Sequence, residues 1–311
     1  MKTRNLIHLT FLVIALIGLS FTGCKKDKTD KSTVDPASMQ QLANDETAVQ
    51  NASDQAMNDV DLVLSDNSLN SKGINPLPCN ATLNITTVND TIIFTITYHG
   101  KSCDSLRIRT GQVEIKKHVG TNWNQAGATV IVKHINFTIT KVSNQKTITL
   151  NGTKTHENVS GGVIWQLGNG VTSIVHKTWG HEVVTFSDNT TRTWNVARQR
   201  TFTGTPTTLI LTLDGFGSAA NYNNLVVWGT NRQNENFYTQ ITQSVILRQV
   251  CDWDPCSGVK IHQIPSDSKS ATLTFGYNSN NQPITGDACP TKFRVDWQKN
   301  NNSGTVYLWL P

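Results

Sequence analysis

Charged side chains are scarce in this chain of 311 residues. Asp, Glu, Lys and Arg make up 16% of it, whereas about 25% is usual for soluble domains. The formal net charge is only +5, and the basic residues form no cluster in the body of the chain. Nucleic-acid-binding proteins present a dense basic surface, so the composition argues against a nucleic acid as partner.

Long apolar runs are missing as well, apart from one near the start. The stretch Leu6–Leu19 is mainly apolar, but its length suits the hydrophobic part of a signal peptide better than a membrane span. No other segment approaches the roughly 18 apolar residues that a spanning helix needs. We therefore expect the body of the protein to be soluble and tethered.

The residues around this stretch predict a lipid anchor. Lys2 and Arg4 precede it, and Phe21–Cys24 (FTGC) follows it. These last four residues resemble the lipobox of bacterial lipoproteins, although Phe21 departs from the usual Leu. The resemblance implies that residues 1–23 are removed as a signal peptide and that Cys24 carries diacylglycerol, which anchors the protein to a membrane. The alternative is an ordinary secretory signal in which Cys24 is incidental.

The segment after the lipobox predicts a tether. Residues 24–35 are rich in Lys and Asp and almost free of apolar side chains, so they have nothing to bury and are expected to be disordered. Lys25 resembles the corresponding residue of lipoproteins sent to the outer membrane, and the Lys/Asp-rich start resembles the surface-export signal of Bacteroidota lipoproteins. We expect an outer-membrane protein that faces either the periplasm or the cell surface.

One helical segment is predicted over residues 36–72. Asp35 and Pro36 are typical of the cap and first position of a helix. Apolar residues then recur at intervals of three, four and seven, which is the period of one buried helical stripe. The stripe consists of Leu42, Val49, Ala52, Ala56, Val60 and Val63. We favour packing of this helix on the body over binding of a separate partner.

Residues 73–311 predict an all-β domain. The 41 threonines and 31 asparagines of the chain favour strands joined by polar turns, and no helix pattern connects the strands, which excludes a parallel α/β sheet. The predicted fold is mainly β: a large antiparallel meander forming a curled sheet or sandwich, with one N-terminal α-helix. The clearest strand patterns cover 91–98, 107–116, 129–139, 146–151, 207–213, 225–228, 239–250, 259–262, 271–277, 292–297 and 305–310.

The five cysteines after Cys24 are candidates for disulfides in an oxidising compartment. Because their number is odd, at least one thiol should stay free or pair between chains. Cys79–Cys103 and Cys251–Cys256 are plausible pairs, and Cys256–Cys289 or Cys251–Cys289 is the rival to the second. Zinc is a poor alternative, because paired two-residue gaps are missing.

Familiar catalytic motifs are absent. The chain has no His-Glu-x-x-His and no Gly-x-Ser-x-Gly, and Gly215–Ala220 only superficially matches a dinucleotide fingerprint because a strand pattern follows it. We predict no catalytic residues, no metal and no cofactor. Scattered histidines and carboxylates are interpreted as exposed strand residues: His118, His134, His156, His176, His181, Glu114, Glu157, Glu182 and Asp214.

Eight tryptophans are the remaining suggestive feature. Trp123, Trp179 and Trp253 fall in predicted turns or loops beside polar residues. They are candidates for a sugar-binding face, because an aromatic ring stacks on the apolar face of a pyranose, although anchoring of loops is the commoner use. The other five are predicted to lie in strands and in the core: Trp165, Trp194, Trp228, Trp297 and Trp309.

Two short motifs suggest modification. Asp90-Thr91-Ile92 and Asp104-Ser105-Leu106 resemble the acceptor sequence of Bacteroidota O-glycosylation. The resemblance makes Thr91 and Ser105 candidate glycosylation sites. Such short motifs also recur by chance in a chain rich in threonine.

The whole pattern resembles a diffuse group of Bacteroidota outer-membrane and surface lipoproteins. The shared features are the lipobox, an N-terminal helical segment and a long β meander with strand-Gly-Thr sequences such as Gly152-Thr153 and Gly229-Thr230. The resemblance implies location and fold and carries no mechanism. We expect an envelope lipoprotein with a non-catalytic binding or structural role, whose partner is a glycan or an envelope protein. The alternatives are an envelope or polysaccharide hydrolase, and a surface adhesin or assembly subunit.

Overall fold

A computed structural model describes residues 36–65 and 77–310. The predicted signal peptide, Cys24 and the tether lie outside the described residues. So does the end of the predicted helical segment, residues 66–72.

The helix α1 spans Pro36–Ser65, and over residues 41–65 it is buried on most of its circumference. All six residues of the predicted apolar stripe are at most 4% exposed. Only a narrow stripe faces solvent, and it includes Asn44, Asn51 and Leu62. In the part of the chain that the structure describes, no helix is both long enough and apolar enough to cross a membrane.

The rest of the described chain is one antiparallel sheet of 15 strands, which confirms the predicted meander. With few exceptions each strand pairs with the next along the chain, and β1 and β15 are its two edges. The strands are β1 (Ala81–Val88), β2 (Thr91–Lys101), β3 (Arg107–His118), β4 (Ala128–Lys141), β5 (Thr147–Asn158), β6 (Ser173–Phe186), β7 (Thr191–Thr203), β8 (Ile210–Gly215), β9 (Gly217–Ala219), β10 (Tyr222–Thr230), β11 (Asn236–Arg248), β12 (Pro255–Ile264), β13 (Lys269–Tyr277), β14 (Lys292–Lys299) and β15 (Asn302–Trp309).

The sheet is interrupted once, near its middle. β8 pairs with one end of β7 and of β11, whereas β10 pairs with the other part of both strands. The short strand β9 pairs with β10. The loop around Phe216 therefore lies where β8 ends and β9 begins.

The sheet curls around the helix. Side chains of α1 contact β2, β3, β5, β7 and β12, which are spread across most of the strand order. Inward-facing side chains of the sheet join the helix in one hydrophobic core, whose largest members include Phe94, Phe137, Trp194 and Phe237. A strand alternates its two faces, so each long strand offers one set of side chains to the helix and another to the outside.

Two disulfides are formed. Cys79 pairs with Cys103, and Cys251 pairs with Cys289, while Cys256 is a buried free thiol. The predicted pair Cys79–Cys103 is confirmed, whereas Cys251–Cys256 is wrong. Of its two rivals, Cys251–Cys289 is formed and Cys256–Cys289 is not. Cys256 lies at the start of β12, where its sulfur accepts a hydrogen bond from Arg248 Nε at 3.3 Å and donates one to the carbonyl oxygen of Asp254 at 3.3 Å.

Candidate functional site

The inner face of the sheet binds the helix through charge as well as apolar contact. α1 carries five acidic side chains and no lysine or arginine, and each of the five forms an ion pair with an arginine outside the helix. Charges taken out of water need such partners, so helix and sheet depend on each other. The pairs are Asp45–Arg232 (2.6 Å), Glu46–Arg192 (3.0 Å), Asp54–Arg198 (2.9 Å), Asp59–Arg109 (2.8 Å) and Asp61–Arg200 (3.1 Å).

One of these aspartates also meets two histidines. Asp61 lies near the end of α1, and His156 and His176 project from the neighbouring strands β5 and β6. His156 Nε2 is 2.9 Å from Asp61 Oδ1, and His176 Nδ1 is 3.4 Å from Asp61 Oδ2. Trp123 covers both imidazoles, with ring centroids 5.0 and 5.4 Å away. The three ligand-type atoms lie within 4.8 Å of one another.

The protonation states of this cluster follow from its burial. Burial lowers the pKa of His156 from 6.5 to about 4, although Asp61 beside it favours the protonated ring. Burial alone would raise the pKa of Asp61, but the His176 and His156 rings hold it well below its usual value. At neutral pH the cluster therefore offers a carboxylate and a neutral imidazole. These are groups that can hold a metal ion.

A second buried cluster lies beside it on β4, β5 and β6. Glu182 contacts His134 Nδ1, and its Oε2 is 2.8 Å from Lys154 Nζ at an angle poor for a hydrogen bond. All three residues are at most 1% exposed. Burial alone would raise the pKa of Glu182, but Lys154 and His134 lower it to about 2. The carboxylate is therefore ionised throughout the neutral range.

Lys154 also donates a hydrogen bond of 2.6 Å to Ser53 Oγ on the helix. A hydroxyl beside a lysine is a combination that can give an activated nucleophile. Ser53, however, is 0% exposed, so a substrate has no access to it in this structure. The pair belongs to the helix–sheet contact.

The outer face of the sheet carries an open groove of about 520 Å³. Trp179 on β6 and Phe216 in the β8–β9 loop meet edge to face, with centroids 6.3 Å apart and planes at 76°. Phe216 is 39% exposed. The groove is lined by Glu157, Lys177, Trp179, Gly180, Val196, Ala197, Phe216, Gly217 and Trp228.

The β8–β9 loop shapes this groove. A Cβ atom at Gly217 would lie 2.5 Å from the Trp228 ring and 2.9 Å from the carbonyl oxygen of Leu225, so only glycine lets the loop come this close. No helix follows the loop, since β9 leads through a turn into β10. Lys177 adds a positive charge 5.3 Å from the Phe216 ring, and Glu157 adds a carboxylate.

Comparisons with protein-family models, curated proteins and solved structures found no match for this chain. The geometry of the groove and of the buried clusters is therefore the basis for any functional inference.

The three tryptophans predicted to form a sugar-binding face do not come together. Trp179 lines the groove, but from the middle of β6 and not from a loop. Trp123 is 2% exposed and packs on the histidines of the inner face. Trp253 lies in the turn after β11 and is 39% exposed, but it does not line the groove.

Of the five tryptophans predicted to be in the core, only Trp194 belongs to it, and Trp297 on β14 is half-buried. Trp165 is 59% exposed in a short 3₁₀ helix and Trp309 is 63% exposed on the edge strand β15. Trp194 is buried as predicted, whereas Trp228 lines the groove.

The interpretation of the histidines and carboxylates as exposed strand residues is wrong for four of them. His134, His156, His176 and Glu182 are at most 2% exposed. They lie on inward-facing strand positions, where Asp61 of the helix contacts His156 and His176, while Glu182 contacts His134 and Lys154 of the sheet. Glu157 and His181, by contrast, lie on the outer face, and His181 Nδ1 is 2.9 Å from Asn195 Oδ1.

The candidate glycosylation sites lie in different settings. Ser105 is exposed in the β2–β3 turn, with φ at 60°. Thr91 is half-buried at the start of β2, directly after the β1–β2 turn. Their modification stays a prediction, which the intact mass of the protein isolated from its native host tests.

Proposed function

We propose that this protein is a lipid-anchored envelope lipoprotein of the outer membrane whose outer groove binds a carbohydrate. The observation that carries the binding role is the set of three aromatic side chains, Trp179, Phe216 and Trp228, around one groove. Aromatic rings with an exposed face bind the apolar side of a sugar ring. The volume of about 520 Å³ lies within the range typical of small-ligand sites.

The polar residues of the groove support binding more than catalysis. Glu157 is the single carboxylate among the residues that line it, whereas glycoside hydrolysis usually needs two carboxyl groups across the scissile bond. The histidine cluster lies on the other face of the sheet. Lys177 and Glu157 are instead suited to hydrogen bonds with sugar hydroxyls.

Binding can be measured with soluble polysaccharides, one set neutral and one set containing uronic acids, by affinity electrophoresis and calorimetry. We expect a Trp179→Ala variant to bind the preferred polysaccharide at least about tenfold more weakly, which corresponds to about 1.4 kcal/mol. The loss is expected because the variant removes one stacking surface and its contact with Phe216.

A matched control is Trp309→Ala, which removes a 63% exposed tryptophan on the far edge strand. It should leave binding unchanged. Equal affinity of the wild type and the Trp179→Ala variant would overturn the groove as the binding site. Absence of binding to either polysaccharide set would overturn carbohydrate as its ligand.

The anchor rests on sequence alone. The apolar stretch Leu6–Leu19 ends shortly before Gly23-Cys24, and acyl chains on Cys24 would hold the protein at a membrane. We expect a clickable fatty acid fed to cells to label the wild-type protein but not a Cys24→Ala variant. Equal labelling of the two proteins would contradict the lipoprotein assignment.

A second candidate, an assembly subunit, is favoured by the edge strand β1. Its sequence ATLNITTV is rich in threonine and most of its residues are exposed. Among the described residues it pairs with β2 on one side only. Such an edge can accept a strand of another protein. Light scattering at increasing concentration tests self-assembly, and a constant monomer mass would remove this candidate for copies of the chain itself.

A further inference from the structure

We propose that Asp61, His156 and His176 bind a divalent transition-metal ion of the zinc class, which joins the last turns of α1 to β5 and β6. Two imidazoles and one carboxylate are an established ligand combination for such ions. The three side chains come from three separate elements, so an ion bound here would act as a cross-link between the helix and the sheet.

The spacing of the ligand atoms fits one ion. Bonds of about 2.0–2.2 Å from an ion to nitrogen or oxygen place neighbouring ligand atoms about 3.0–3.5 Å apart. The separations found are 2.9 Å between Asp61 Oδ1 and His156 Nε2, and 3.4 Å between Asp61 Oδ2 and His176 Nδ1. These two separations involve different oxygens of Asp61, and one ligand atom from each of the three residues lies within 4.8 Å of the other two. Small side-chain rotations would therefore complete the coordination.

His176 supplies an independent indication. It is 2% exposed, and neither of its ring nitrogens makes a hydrogen bond within the described residues. Buried polar atoms normally have partners, and an orphaned imidazole costs free energy. A metal ion between His176 Nδ1 and Asp61 would give that nitrogen a partner.

Hydrogen bonds from neighbouring residues orient His156 and Asp61, as is usual for metal ligands. His156 Nδ1 is 2.8 Å from Thr178 Oγ1, and Arg200 donates to Asp61 Oδ2 at 3.1 Å. Outer hydrogen bonds of this kind fix the ring orientation of a ligating histidine and the position of a ligating carboxylate. Arg200 also adds positive charge, and its other guanidinium nitrogen donates a hydrogen bond to Asn58 Oδ1 at 3.3 Å.

Burial assigns a structural role to the ion. All three ligands are at most 5% exposed, and Trp123 covers the imidazoles, so a substrate cannot reach the site. An ion in such a site binds the folded state and not the unfolded chain, and it raises the melting temperature accordingly.

The test uses full-length, tag-free protein in detergent, dialysed against EDTA and then incubated with Zn²⁺. We expect one equivalent of zinc per chain by mass spectrometry of the metal, and a melting temperature higher by about 5 °C with zinc than with EDTA. Co²⁺ in place of zinc should give visible absorption typical of a low-coordinate nitrogen and oxygen site.

The informative variant is His176→Leu, because neither ring nitrogen of His176 makes a hydrogen bond within the described residues, and leucine keeps an apolar side chain against Trp123 and Phe202. It should keep the circular dichroism spectrum of the wild type, but lose the bound zinc, the cobalt absorption and the effect of zinc on melting. The matched control is His262→Gln. His262 is buried and bonded to Thr239 outside the cluster, and its replacement should leave one zinc bound.

Two results would overturn the proposal. One is folded wild-type protein that retains less than about a tenth of an equivalent of zinc and melts at the same temperature with zinc and with EDTA. The other is zinc bound equally by the wild type and by His176→Leu, which would locate the ion elsewhere. If His176→Leu fails to fold, the wild-type stoichiometry and cobalt spectrum decide alone.

Discussion

The inner and outer faces of the sheet are made from the same strands but from different chemistry. The inner face holds arginines and histidines that meet the acidic residues of α1, and lysines that donate hydrogen bonds to Ser53 and Gln50 of the helix. On the outer face, pairs of neutral side chains meet, such as Thr138 with Thr149, whose hydroxyl oxygens are 2.8 Å apart. A chain that is only 16% charged has thus placed many of its charges inside.

The buried charges of the inner face specify the position of the helix. Apolar contact alone would let a smooth helix rotate or slide, whereas a buried charge left without its partner is strongly destabilising. Five ion pairs spread along α1, from Asp45 to Asp61, fix one register between helix and sheet. The outer face does not have to pair with the charges of the helix, so its side chains are available to bind a ligand.

The largest expected effect comes from breaking an inner pair. A Glu182→Ala variant leaves Lys154 and His134 buried without their carboxylate, and the free energy of unfolding should fall by about 3–5 kcal/mol. Urea denaturation followed by tryptophan fluorescence measures it. The double variant Glu182→Leu/Lys154→Met, which removes the charges together, should recover part of this loss.

A matched outer control is Glu114→Ala. Glu114 forms an ion pair with Lys116 at 3.2 Å, in which the side chains are 22% and 45% exposed. Its removal should cost less than about 1 kcal/mol. If Glu182→Ala and Glu114→Ala lowered the free energy of unfolding by the same amount, the inner and outer faces would not differ in their contribution to stability.

The sequence predicts the class of fold because alternation and turn residues are local signals. It predicts the buried stripe of α1 for the same reason, since helical period is visible along 30 residues. The clearest strand patterns, however, include none between residues 152 and 206, where β6 and β7 lie. On these strands Glu182, Arg192 and Arg200 occupy inward positions that a simple apolar–polar pattern assigns to solvent.

The candidate sites are harder to predict because they depend on contacts between distant segments. Asp61 is 95 residues from His156 in sequence, and no spacing rule connects them. The sequence does contain one signal. The helix α1 has five acidic residues and no basic ones, and Arg192, Arg198 and Arg200 are separated by even numbers of residues, which places them on one face of a strand. Complementary charge on a helix stripe and a strand face indicates that the two are packed together.

The next effect concerns pH and the inner face. Burial lowers the pKa of His262 from 6.5 to about 4; Lys260 and Arg192 also lower it, and Glu46 opposes them. Below pH 6.5 the unfolded chain therefore binds a proton that the folded protein does not, so His262 lowers stability as the pH falls from 6.5 to 4. The expected slope is about 1 kcal/mol per pH unit.

Urea denaturation between pH 4 and 7 measures this slope. The His262→Gln variant should show a shallower fall than the wild type over the same window. Thr239→Val is the control, since it removes the hydrogen-bond partner of the ring at 2.8 Å and keeps the titrating group, so its slope should match that of the wild type. Identical slopes for all three proteins would mean that His262 does not titrate differently in the folded state.

The smallest expected effect lies on the outer face. Thr138 and Thr149 are opposite each other on β4 and β5, and their hydroxyl contact is of the kind that contributes about 0.2–1 kcal/mol in antiparallel sheets. A Thr149→Val variant keeps the branched shape that strands favour and removes only the hydroxyl, so the free energy of unfolding should fall by no more than about 1 kcal/mol. Thr149→Ser, which keeps the hydroxyl but loses the methyl group, separates the hydrogen bond from the shape of the side chain. A loss above about 2 kcal/mol for Thr149→Val would show that the outer face is as demanding as the inner one, and the contrast between the two faces would then have to be abandoned.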